Sequence, residues 1–104
     1  GVVIEAMACG ILCMVTNYGA PGDLAANGRG VRIDLADRDT LATTYRAAME
    51  RAVAAPPEEI SAMTAAALAY ATDLYDWDKK AAYTVRIYEA LMMRAPLGGF
   101  TDYL

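Results

Sequence analysis

Glu5 is the only charged side chain between Gly1 and Asn17. A carboxylate offers several acceptor lone pairs and no competing donor, which suits it to holding hydroxyl groups. Buried alone, such a charge is costly unless a partner waits for it. Its isolation therefore points to a bound ligand, against the plainer readings of an exposed helix face or a pairing with Arg29 or Arg32. The stretch over residues 16–22 is a second candidate, because it holds the turn-formers Asn17, Gly19, Pro21 and Gly22 and is followed by the acid Asp23. Cys9 and Cys13 lie close together in a chain without histidine. Two strong ligands do not complete a tetrahedral zinc site, so the pair reads as two small buried thiols in a reducing compartment.

These residues need elements to position them. Residues 1–10 predict a short buried helix that stops at Gly10, a residue suited to the left-handed backbone past a helix end. The uninterrupted apolar run over residues 11–15, Ile-Leu-Cys-Met-Val, is expected of a parallel strand covered on both faces. Residues 16–22 then read as a loop. A second short strand is expected over residues 30–33, after the turn pair Asn27 and Gly28.

Three helices follow. The first, over residues 37–53, carries Leu41, Tyr45, Ala48, Met49 and Ala52 on one stripe. After a break at residues 54–57, the next begins near Pro57 with Glu58 and Glu59 in its first turn, where the helix dipole favours negative charge; Ile60, Met63, Ala67 and Ala71 form its inner face. The last begins between Asp76 and Asp78, runs to about Met93 and is expected to bury Trp77, Ala81, Val85, Tyr88 and Met92. Residues 96–104 read as a tail. An α/β fold results, but two strands are too few for the covered parallel sheet that residues 11–15 require. Further strands are expected upstream of Gly1.

Composition narrows the function classes. A formal charge of −4 and a pI near 4.6 oppose sequence-independent binding to nucleic acid, which depends on clustered Lys and Arg. The chain is 57% hydrophobic, yet no apolar run reaches the roughly 18 residues needed to span a bilayer. Trp77, Tyr83 and Tyr88 form a conceivable sugar-stacking set, but the helical spacing of Trp77 and Tyr88 favours core packing, as it does for the six methionines as core filler. In an open parallel sheet, ligands bind beyond the carboxyl ends of the strands. The loop at residues 16–22 and the amino end of the first helix are then the places to look, and a helix start suits a diphosphate.

Residues 1–10, Gly-Val-Val-Ile-Glu-Ala-Met-Ala-Cys-Gly, followed by Ile-Leu-Cys-Met-Val-Thr and then by Gly19-Ala-Pro-Gly-Asp23-Leu, resemble the donor-site half of retaining glycosyltransferase family 4. Gly28-Arg-Gly30, Asp39-Thr-Leu41-Ala, Tyr75-Asp-Trp77 and Tyr88-Glu-Ala-Leu91 look like the same family's closing segments, so the resemblance extends to about Met93. It implies a GT-B enzyme in which residues 1–95 are part of a Rossmann-like nucleotide-sugar-binding domain and residues 96–104 a tail. Such an enzyme passes a sugar with retention from a nucleoside diphosphate donor to a glycan, sugar or lipid-linked acceptor. No metal or other cofactor is called for.

The family's donor motif is a spaced pair of glutamates, and Glu5 matches the second, whose implied role is hydrogen bonding to the ribose hydroxyls. The first glutamate, the cations that clamp the diphosphate and the acceptor domain would lie upstream, leaving no catalytic residue within the chain. By the same match, the amides of Gly1 and Val2 face the diphosphate. The loop departs from the family pattern: Ala20 stands at the second glycine, Pro21 and Gly22 are shifted, and Asp23 replaces a glutamate. Asp23 then either helps close the donor site with Gly19 or merely caps the short turn after it. The resemblance also implies a cytoplasmic enzyme, in some relatives working at the cytoplasmic face of the membrane. Two other readings stand beside it: a non-catalytic helical binding module, and a GT-B relative with another reaction, such as a sugar-nucleotide epimerase or a glycogen synthase.

Overall fold

A computed structural model describes residues 1–93; the expected tail at residues 96–104 lies outside the described residues. Helix α1 (Val2–Ala8) ends as its sequence predicts. Gly10 takes φ of 69°. Its N–H donates to Met7 O at 3.0 Å while that of Ile11 donates to Ala6 O at 3.0 Å, so the last carbonyls of the helix are satisfied by the residues leaving it. That bond has a consequence for the strand. Ile11 belongs to the helix end and is 55% exposed, so β1 spans only Met14–Thr16 instead of beginning at residue 11.

Strand β2 (Val31–Ile33) pairs with β1 in parallel, Met14 opposite Val31 and Thr16 opposite Ile33. Between them lies a helix where a loop was expected, α2 (Gly19–Leu24). The turn-formers serve its first turn. Gly19 enters with φ of 57°, and Pro21 falls in the opening turn, where no amide proton is needed. Gly22 lets the helix press on Asn17, since a Cβ there would stand 2.9 Å from the Asn17 side-chain oxygen and 3.1 Å from its carbonyl carbon. The link to β2 turns at Asn27 and Gly28, whose φ values of 56° and 77° are both left-handed, with Arg29 N–H bonded to Ala26 O at 3.2 Å.

Side chains alternate across the two strands. Cys13 and Val15 point to one face, where they join Met7, Leu24, Ala25, Ala67 and Ala71 in the principal core. The other face meets α3 (Arg38–Ala54), through the β2 residues and through a 2.9 Å hydrogen bond between Thr16 Oγ1 and the Tyr45 hydroxyl. Asp37 caps α3, its carboxylate accepting from the amides of Asp39 and Thr40 and from the Thr40 hydroxyl. Helix α4 (Pro57–Tyr75) lays its small residues Ala67 and Ala71 against α1, with Ile60 and Met63 half-buried on the same stripe as expected.

Helix α5 (Trp77–Met92) is capped by Asp76 and begins where the sequence places it, but the face it buries is a different one. Trp77 is 87% exposed and Met92 86%, and Val85 and Tyr88 are exposed too. Lys80, Tyr83, Ile87 and Ala90 turn inward instead, none of them fully buried. Both stripes have helical spacing, and α5 touches mainly α4, so the stripe that faces α4 is the one that turns inward. Met49, Met92 and Met93 are likewise exposed, contrary to their reading as core filler. The described part of the chain is elongated, at 54 × 31 × 19 Å, with a radius of gyration of 17.1 Å where about 13 Å is usual for a compact domain of 100 residues.

Candidate functional site

Glu5 stands one turn into α1, on the face that also carries Val2 and Ala8, away from the core. Its exposure removes the argument from a buried lone charge. Neither arginine considered as its partner reaches it. Arg29 donates to the carbonyls of Leu24 at 2.8 Å and Asp23 at 2.9 Å, and its guanidinium lies 3.8 Å from the centroid of the Tyr70 ring. It thus closes the carbonyl end of α2 and ties that end to α4. Arg32 donates to Asn17 Oδ1 at 3.3 Å. Among the described residues the Glu5 carboxylate has no hydrogen-bond or ion-pair partner. It folds back toward the helix start, where a Cβ placed on Gly1 would lie 3.2 Å from Glu5 Oε1.

A pocket of about 230 Å³ opens at this point, lined by Gly1, Ile4, Glu5, Tyr75 and Trp77. A second, of about 190 Å³, is lined by Ile4, Ala20, Asp23, Leu24, Tyr70 and Tyr75. The two share Ile4 and Tyr75, so together they make one groove along α1, α2 and the end of α4. Tyr70 and Tyr75 pack with ring centroids 5.8 Å apart. Burial first, then the hydrogen bond and charge of Tyr70, hold the Tyr75 phenol above its ordinary value, so at neutral pH it remains a neutral donor.

Of the residues singled out in the sequence, Gly1 and Glu5 line the first pocket and Asp23 the second. Val2 is 77% exposed and lines neither, as is true of exposed Gly19. Asp23 does not cap a following turn; it is the penultimate residue of α2 itself. Tyr75 and Trp77 are the members that sequence reasoning assigned elsewhere or passed over. Their position at the junction of α4 and α5 was the available signal, because a junction brings residues of two helices to one point.

At the carboxyl ends of the strands a polar cluster replaces the expected open loop: Asn17 Nδ2 donates to Asp34 Oδ1 at 2.9 Å while its oxygen receives Arg32. The cysteines part company. Cys13 is buried, its thiol bonded weakly to Ile11 O and Val3 O and pushed up in pKa by desolvation, whereas Cys9 is exposed instead of buried. Among the described residues no cluster of acidic, cysteine or histidine side chains has a metal-holding arrangement, and no helix is long and apolar enough to cross a membrane. No known protein family, curated protein or solved structure matches this chain.

Proposed function

We propose that this chain forms the nucleotide-binding part of a retaining glycosyltransferase of GT-B architecture, with Glu5 holding the ribose hydroxyls of a nucleoside diphosphate sugar. The observation that carries this reading is an unpartnered carboxylate, Glu5, at a pocket whose other walls are mainly aliphatic and aromatic. The βαβ arrangement with parallel β1 and β2 is compatible with half of a Rossmann-like domain. In the transfer, the bond from the sugar's anomeric carbon to the diphosphate breaks, and one to the acceptor oxygen forms on the same face. The acceptor's proton passes to the departing diphosphate. The chain's contribution is to bind and orient the donor, with Gly1 and Val2 at the diphosphate end and Asp23 with Gly19 on the neighbouring α2 side, while the acceptor, a glycan, sugar or lipid-linked alcohol, is held by another part of the enzyme at the cytoplasmic side.

The test is Glu5→Ala in an enzyme that carries this chain together with its acceptor domain. Losing charge-assisted hydrogen bonds of about 1.5–3 kcal/mol is expected to weaken donor binding and turnover roughly ten- to hundredfold. Donor kinetics close to wild type would remove Glu5 from the ribose. A second reading, a non-catalytic module that docks on a partner protein, is favoured by the exposed stripe of α5. Full donor binding by the chain would speak against it, and a stable complex formed without any nucleotide-sugar affinity would speak for it.

A further inference from the structure

Trp77 is 87% exposed at the start of α5. It lines the same pocket of about 230 Å³ as Glu5. Tyr75, also in that lining, is held in place by Tyr70 and by the Lys80 ammonium, 4.9 Å from the centroid of its ring. Trp77 has no such ring neighbour among the described residues and presents an open indole face. The lining thus combines one carboxylate, one phenol, one aliphatic wall at Ile4 and one free aromatic platform.

That set is selective. A hexopyranose carries hydroxyls around its whole rim, and most would lose water here without finding a protein partner. A nucleoside gathers its two vicinal hydroxyls on the ribose and offers a planar π-face at the other end, which stacks on an aromatic side chain whatever the base. We infer that Trp77 stacks the nucleobase of the donor while Glu5 holds its ribose, with Tyr75 and Ile4 bounding the slot between them. This assignment rests on the donor-site reading of Glu5 and adds to it a residue from the far end of the chain.

Trp77 is the chain's sole tryptophan, so its emission reports the stack directly. Titration with UDP, ADP or GDP is expected to quench it saturably, whereas ribose 5-phosphate and glucose leave it unchanged. By calorimetry, Trp77→Ala is expected to weaken UDP binding about tenfold and Trp77→Phe by less, with ribose 5-phosphate binding unaltered in both. The exposure of Trp77 means that both variants keep the wild-type circular dichroism spectrum. UDP binding that is lost in Glu5→Ala but unchanged in Trp77→Ala overturns the stack and leaves the ribose site standing. Saturable quenching by glucose in place of UDP overturns the nucleobase assignment. A chain that binds no nucleotide at all overturns the stack and the donor-site reading together.

Discussion

Helices α1 and α5 both display apolar residues at helical spacing, and their fates are opposite. The shorter, α1, has Met7 at 0% exposure against Ala67 at 1% and Ala71 at 4% on α4. The longer, α5, carries apolar residues along its whole length and buries none of them completely. Length and periodicity do not explain the difference; neighbours do. Helix α1 is held between α4, α2 and the strand face bearing Cys13 and Val15, while among the described residues α5 packs mainly on α4. An amphipathic stripe states that a face could be covered, and the number of elements around it decides whether it is.

The largest expected contrast follows from that comparison. Met7→Ala removes a fully buried side chain between several elements and should cost about 2–5 kcal/mol, whereas Tyr88→Ala, at 62% exposure, should stay within about 0.5 kcal/mol. Urea unfolding of both variants checks it, and equal losses would mean that α5 is covered in solution. Next in size is Gly30→Ala in the α1 half. A Cβ there would meet Cys13 O at 2.9 Å and Ala25 Cβ at 3.0 Å, backbone and core that cannot easily yield; about 1–3 kcal/mol is expected by the same assay.

Thr16→Val sharpens the picture on the other sheet face. It removes the hydrogen bond to Tyr45 and should cost about 1 kcal/mol, with Tyr45→Phe giving a similar loss and the double variant little more. Additive losses would show that the two hydroxyls act separately.

The smallest effect is at the α3 cap. Hydrogen bonds from the Thr40 hydroxyl and amide, and then from the Asp39 amide, hold the Asp37 carboxyl below its ordinary 3.8. A depressed folded-state value stabilises fully above the ordinary value and is lost as pH falls through the lower one. Asp37→Asn preserves a capping oxygen but not the charge. The thermal midpoint of wild type should therefore exceed that of Asp37→Asn at neutral pH, and the gap should close under strong acid. A gap independent of pH would show that the charge contributes nothing.

Much of the frame was legible because it is local. Asp37 and Asp76 are caps within reach of amides two and three residues on, Gly10 and the Asn27–Gly28 pair supply left-handed backbone where helix and strand must turn, and Pro57 opens α4. The parallel pairing of the two strands was also expected from the unalternating apolar run. The stretch over residues 16–22 misled because Gly and Pro mark turns and first helical turns alike, and only the close approach of Gly22 to Asn17 distinguishes them.

For the site, the sequence determined that Glu5 would be a solitary acid near the start of a helix, since neither charge nor helix spacing depends on distant contacts. It could not determine that the acid would be exposed, that Asp23 would close α2 and not precede it, or that Tyr75 and Trp77 would stand beside Glu5. Those outcomes belong to tertiary structure. The end of α4 reaches α1 only because Ala67 and Ala71 are small enough to let the two helices meet, and α5 then leaves that junction with Trp77 turned toward the pocket instead of the core.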